Sequence, residues 1–225
     1  CINSFTSTAP EGTQVMVIED QPKNRFRNSG LIPEYEHLHV VEMPKKSSCA
    51  HLFNLCLLLT ETRFVLVTQD DIIFNSDKWL KIAEEKLEEG YECILMHNWS
   101  AYIIDKKCLP RFGYADERFK GGAWEDADLS LRARLPGKIK LCNVTGPLEN
   151  KSSLEESQVS GADIRHDNQH REHYTKASWD ASYNEKYFAK KWRLGSFDRL
   201  IKLPPTEPDI EDIDWYPALT DLWRE

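Results

Sequence analysis

No run of apolar residues in this sequence reaches the roughly 18–20 that a membrane-crossing helix requires, so no such span is expected. No basic stripe offsets the formal net charge of −8, which argues against a general nucleic-acid binder. A Gly-rich phosphate loop of the P-loop type is also missing. The six cysteines, Cys1, Cys49, Cys56, Cys93, Cys108 and Cys142, never fall in a C-x-x-C pair, so a zinc knuckle is not expected. Their even number permits disulfides without requiring them, and Cys56 and Cys93 lie in apolar runs as small buried hydrophobes. There is no repeat at a solenoid period, no low-complexity tract and no visible signal peptide. A cytoplasmic location is therefore the expectation. Three N-x-S/T sequons, at Asn98, Asn143 and Asn150, keep a secretory lumen as the alternative, and a start at Cys1 suits a fragment or processed form.

What remains suits a soluble α/β protein. At 225 residues the chain fits one domain, expected over residues 1–202, with a C-terminal extension over 203–225 that is rich in proline and acids. Val15–Ile18 is a short apolar run read as a buried strand ending at Glu19-Asp20, and Leu38–Met43 is a second strand closed by Pro44. Ser47 and Ser48 are candidate caps for a helix whose apolar residues (Leu52, Phe53, Leu55, Cys56, Leu58, Leu59) cover most of its circumference. Phe64–Thr68 is a third strand, Lys78–Glu89 an amphipathic helix stopped by Gly90, and Cys93–Met96 and Ala101–Ile104 are two further strands. Strands alternating with helices predict an α/β domain with a central mixed, mostly parallel sheet flanked by helices. Farther on, a Gly-containing loop at 113–122 precedes an acid-started helix from Glu125, and a last helix is expected within Tyr174–Trp192.

The chemistry concentrates where apolar segments end. In open α/β sheets, ligands bind at the carboxyl ends of strands. The run Phe64-Val65-Leu66-Val67-Thr68 delivers Gln69-Asp70-Asp71 to such an end. Hard cations take oxygen ligands, and Mg²⁺ is often held by one or two carboxylates plus substrate phosphates. Glu19-Asp20 is a second strand-end acid pair. Glu125, Asp126 and Asp128 open a helix, where the macrodipole favours negative charge.

In this order the acidic segments resemble those of GT-A glycosyltransferases, especially family-2-like members that use nucleotide-sugar donors. Gln69-Asp70-Asp71-Ile72-Ile73-Phe74-Asn75-Ser76-Asp77-Lys78-Trp79-Leu80 is similar to that family's D-x-D strand end with its following helix start. Gly113-Tyr114-Ala115-Asp116-Glu117-Arg118-Phe119, then Trp124-Glu125-Asp126-Ala127-Asp128-Leu129-Ser130-Leu131-Arg132-Ala133, resembles its most specific segment. Val17-Ile18-Glu19-Asp20 is similar to its first acidic strand end. The match spans roughly Val15 to Arg134, with weaker similarity around His166 and over Tyr187–Trp192. Two departures stand out: Gln69 replaces the first acid of D-x-D, and Cys1–Gln14 fits the end of the family's first helix better than its first strand, so that the leading strand is either missing or replaced by an unusual Cys1–Ser7.

The resemblance implies a GT-A-like domain and a metal-dependent transfer of sugar from a nucleoside-diphosphate sugar, UDP preferred, to a hydroxyl of a glycan or glycoprotein, with inversion. It implies Asp71 and His166 as ligands of Mn²⁺ or Mg²⁺, and Gln69 and Asp70 as contacts to the donor ribose. Asp20 would accept from the base, which favours uracil, and Asp126 would be the general base with Glu125 beside it as acceptor contact. Simpler uses stand beside these. The acids from Glu125 to Asp128 suit plain helix-start charge with a pair to Arg132, Trp99, Tyr114 and Trp124 suit core packing as well as sugar stacking, and His170 and His173 suit the surface. Two other classes also fit the same residues: a metal-dependent hydrolase or nucleotidyltransferase, and a non-catalytic sugar-nucleotide- or glycan-binding domain.

Overall fold

The computed structural model describes residues 1–20, 35–145, 160–166 and 181–192. In chain order the elements are α1 (Ile2–Thr6), β1 (Val15–Glu19), β2 (Leu38–Glu42), α2 (Cys49–Leu59), β3 (Phe64–Thr68), β4 (Ile72–Phe74), α3 (Lys78–Glu88), β5 (Cys93–His97) and β6 (Ala101–Asp105). A 3-10 turn at Lys106–Cys108 leads into α4 (Leu109–Phe112), followed by α5 (Glu125–Ala133), β7 (Leu141–Asn143), β8 (Ile164–His166) and α6 (Ala181–Lys191). The expected extension over 203–225 lies outside the described residues.

A four-stranded sheet in the order β3-β6-β5-β7 forms the middle. Every residue of β5 and β6 is buried, as continuous apolar runs covered on both faces require. Side-chain alternation sorts the strands into two packed layers. Val65, Val67, Cys93, Leu95, Tyr102 and Ile104 face α2, meeting Ala50, Phe53 and Leu57. Ile94, Met96, Ala101 and Ile103 face the opposite way, toward Trp79 and Ala83 of α3 and toward Ile72 and Phe74 of β4. The result is an α/β fold with a mixed sheet between helices.

The expected mostly parallel character does not hold for the described ladders. β1–β2 and β5–β7 are parallel, whereas β3–β6, β5–β6 and β4–β8 are antiparallel. Only Asn98, Trp99 and Ser100 join β5 to β6, and so short a link permits a hairpin but no crossover. Two local expectations also change. β1 is half-buried along its length rather than buried. Cys1–Ser7 does not serve as a leading strand: Ile2–Thr6 is a short helix, anchored by Phe5, whose ring lies 5.3 Å from Phe74 and 5.5 Å from Trp79. The Ser48 cap is present, its side chain accepting from the His51 N–H at 3.2 Å.

The turn into β8 needs a glycine. A Cβ at Gly161 would lie 2.4 Å from the Val144 carbonyl oxygen, a backbone atom that has little room to yield. Gly161→Ala should destabilise the protein by about 1–3 kcal/mol, the usual cost of overpacking. Urea unfolding would measure it, and an unchanged midpoint would show that the turn gives way freely.

Candidate functional site

Residues 69–71 turn the chain from β3 into β4. The Gln69 N–H donates to the Ser100 carbonyl at 2.9 Å, and the Ile72 N–H closes the turn on the Gln69 carbonyl at 3.4 Å. Gln69 is half-buried and Asp70 exposed. β4 pairs antiparallel with β8, with Ile72 opposite His166. That register places His166 Nε2 3.2 Å from Asp71 Oδ2, both side chains 14% exposed. The two residues that the resemblance nominates for a metal, distant in sequence, are therefore adjacent. His97, at the carboxyl end of β5, puts its ring 5.7 Å from that of His166.

A carboxylate oxygen and an imidazole nitrogen at this separation fit a divalent cation. In an octahedron with bonds of about 2.1 Å, neighbouring ligands lie roughly 3 Å apart. The mixed oxygen and nitrogen set suits Mn²⁺ better than Mg²⁺, which favours oxygen. Among the described residues no three His, Cys, Asp or Glu side chains form a ready cation cage. A cation held by this pair would need further ligands beyond these two side chains.

A second cluster gathers at the N-termini of α2 and α5. Asp20, just past β1, accepts the Ser47 N–H on Oδ1 at 2.6 Å. Burial raises its pKa, the Ser47 hydrogen bond working in the opposite direction. The Cys49 N–H donates to the Gly121 carbonyl at 2.7 Å, joining α2 to the loop before α5. Burial, with the charges of Glu125 and Asp20 nearby, pushes the Cys49 thiol up to about 12. Glu125 is 6% exposed and its Oε2 has no hydrogen-bond partner among the described residues. Loss of solvent pushes its carboxyl up to about 7, with Asp126 adding a smaller upward effect. Asp126 itself is exposed, its Oδ1 accepting the Ala127 N–H at 2.7 Å.

Much of the most specific sequence segment is structural. Asp128 and Arg132 are fully buried and pair at 3.0 Å, with angles outside hydrogen-bond geometry. Lys191 of α6 reaches Asp128 at 2.7 Å and Asp116 at 2.8 Å. Asp116 also accepts from Arg118 at 2.8 Å and from the Tyr187 hydroxyl at 2.7 Å. Burial opposes the Asp116 charge, yet the Arg118 hydrogen bond and the Lys191 charge hold its carboxyl well below the usual range. Trp192 Nε1 donates to Asp128 at 2.9 Å. Trp99 is core as well, lying parallel to Phe112 and donating to Ser130 at 2.8 Å.

Sequence reasoning passed over four residues in these clusters. His97 was signalled by its strand-end position. His51, buried in the first turn of α2, holds Glu117 through Nδ1 at 3.0 Å, while Asn54 donates to the same carboxylate at 2.8 Å. Asn184 lies in the Ala181–Lys191 helix, just before the weakly similar Tyr187–Trp192 stretch. His170 and His173 fall outside the described residues.

The Glu125 environment has a consequence for stability. A carboxyl whose folded pKa lies above its unfolded 4.5 favours the folded state while protonated. That stability is complete below pH 4.5 and disappears as pH rises through about 7. At 1.36 kcal/mol per unit it amounts to about 3 kcal/mol. Denaturation at pH 4.5 and pH 8 should show this loss in the wild type and a flatter profile in Glu125→Gln; equal slopes would place the titrating group elsewhere.

No family model matches the sequence, and no curated protein matches it. Sixteen chains of solved structure resemble the fold. One is the mannosyltransferase PcManGT from Pyrobaculum calidifontis in complex with GDP-Man and Mn²⁺, at a TM-score of 0.49 and 12% identity. The likeness covers 66% of this chain and 53% of that one, so the present chain spans about half the length of that protein. At that level the likeness assigns neither family nor activity.

Proposed function

We propose that this chain is a GT-A-type, family-2-like glycosyltransferase that moves a sugar from a nucleoside-diphosphate sugar, UDP preferred, to a hydroxyl of a glycan or glycoprotein, with inversion. The observation that carries this reading is the meeting of Asp71 and His166 at 3.2 Å beside a strand end. Asp71 and His166 would hold Mn²⁺ or Mg²⁺, which when bound offsets the negative charge of the departing nucleoside diphosphate. Gln69 and Asp70, half-buried and exposed at the same turn, would hydrogen-bond the donor ribose. Asp20 would accept from the base.

The acceptor hydroxyl must lose its proton as the new bond forms, and the start of α5 supplies two carboxylates for that. Their environments divide the work differently from the sequence expectation. An effective general base has a pKa near the working pH, and Glu125, raised to about 7, meets that condition. Exposed Asp126, its Oδ1 engaged by the Ala127 N–H, is better suited to contact the acceptor. Glu125 is accordingly the proposed base and Asp126 its neighbour. Donor binding should survive both Glu125→Gln and Asp126→Asn.

The test is a thermal-shift screen of UDP- and GDP-sugars with Mn²⁺ and with Mg²⁺, since a ligand that binds only the folded state raises its stability. A cation-dependent shift with one nucleotide sugar, followed by product formation on a glycan acceptor, is the expected result. No shift with any nucleotide sugar would sink the proposal. Donor cleavage without an acceptor product would point to a hydrolase, and binding without turnover to a non-catalytic domain.

A further inference from the structure

The bend that leads into Glu125 is gripped by a residue from a remote part of the chain. Asn184 of α6 is fully buried. Its Oδ1 accepts the Lys120 N–H at 2.8 Å. Its Nδ2 faces the carbonyls of Lys120, Gly122 and Ala123 at 2.9, 3.3 and 3.0 Å. One side-chain amide thus serves as both donor and acceptor to a single loop. The loop needs such a grip: Gly121, Ala123 and Trp124 have φ values of +67°, +85° and +75°. Left-handed backbone at residues with a side chain is strained and persists only where the surroundings enforce it.

The same bend sets the surroundings of Glu125. Gly121 offers its carbonyl to the Cys49 N–H at 2.7 Å, drawing the start of α2 against the start of α5. The ring of Trp124, the residue before Glu125, lies 5.1 Å from Phe188 of α6. The charged and titratable groups around Glu125 come from three places. Asp126 adjoins it on α5, Cys49 at the start of α2 feels its charge, and Asp20 and Lys46 are charged neighbours of Cys49.

We infer that Asn184 is a positioning residue, which fixes the 120–124 bend so that Glu125 is delivered to its buried place at the start of α5. Its catalytic consequence rests on the glycosyltransferase reading, whereas its structural consequence does not. With the clamp removed, the bend relaxes toward ordinary dihedrals and water reaches Glu125. The raised pKa, which depends on burial, then returns toward its ordinary value.

The test is carboxyl-carbon NMR of glutamate-labelled protein, with the Glu125 signal assigned by its loss in Glu125→Gln. In the wild type Glu125 should titrate near 7, as its burial implies. In Asn184→Ala the midpoint should fall by about one pH unit or more. A folded Asn184→Ala protein with an unmoved midpoint overturns the inference. Should that variant not fold, amide exchange in the wild type decides. Protection of the Lys120 N–H like that of the α5 interior supports the clamp, and free exchange overturns it. The two readings fail separately. A moved midpoint in a protein that uses no nucleotide sugar leaves the clamp standing without the enzyme. Transfer activity with an unmoved midpoint leaves the enzyme without the clamp.

Discussion

An Asp71→Ala protein should fold normally yet gain no cation-dependent stabilisation from any nucleotide sugar. The Asp71 side chain lies in a turn, is 14% exposed and meets His166 at 3.2 Å, so its truncation leaves the two packed layers of the core untouched. Binding is another matter. At a hundredfold excess over its dissociation constant, a ligand stabilises the folded state by about 2.7 kcal/mol. The wild type should show a shift of that order with donor and Mn²⁺, and the variant should show none. Turnover should fall by about 10²–10³-fold, the scale on which losing a charge-stabilising group at a reacting centre is felt. Thermal-shift and single-turnover assays on the same preparations would measure both effects. A retained Mn²⁺-dependent shift would remove Asp71 from the site.

The largest loss of stability should follow Asp128→Ala. Asp128 and Arg132 are fully buried, and Lys191 joins them at 2.7 Å. Taking the carboxylate away leaves two cationic groups inside with one acid fewer. Breaking a buried pair from one side costs about 3–5 kcal/mol, because the remaining charge is left uncompensated. In a chain of this size that lowers the melting temperature by roughly 10 °C. Asp126→Asn, two residues away but exposed, should change stability by about 0.5 kcal/mol or less. Calorimetry on the two variants side by side makes the comparison, and similar melting points would mean that the buried network contributes little.

That contrast also shows what could be read from the sequence. Hydrophobic period and caps located β1, β2, β3, β5 and β6, Ser48 and the start of α5, because those signals are local, whereas the three-residue strands β7 and β8 carry too little pattern to read. Phase along α5 holds more than its acid content. Glu125, Asp128, Leu129 and Arg132 recur at i, i+3, i+4 and i+7, the spacing of one helix face, and all four are buried. Asp126 falls off that face. Reading the acids together with Leu129 would have placed Glu125 inward and Asp126 outward. β4 was not read as a strand, since its three residues become one only by pairing with β8. A mixed sheet was expected, but not its antiparallel majority, which at β5–β6 follows from the three-residue link Asn98–Ser100, too short for a crossover. The clamp from Asn184 had no local signal, because a lone Asn within an amphipathic helix reads as solvent-facing.

The three-pair ladder between β4 and β8 also sets an order of events. Its contacts join residues far apart in sequence, and contacts of that kind form slowly because a long loop must close before they repay its entropy. During synthesis the amino-terminal portion organises first. The β3–β6–β5 core can therefore assemble while His166 and α6 are still unmade. Asp71 waits at its turn until the strand bearing His166 arrives, so the nascent protein acquires its central sheet before it acquires its proposed chemistry.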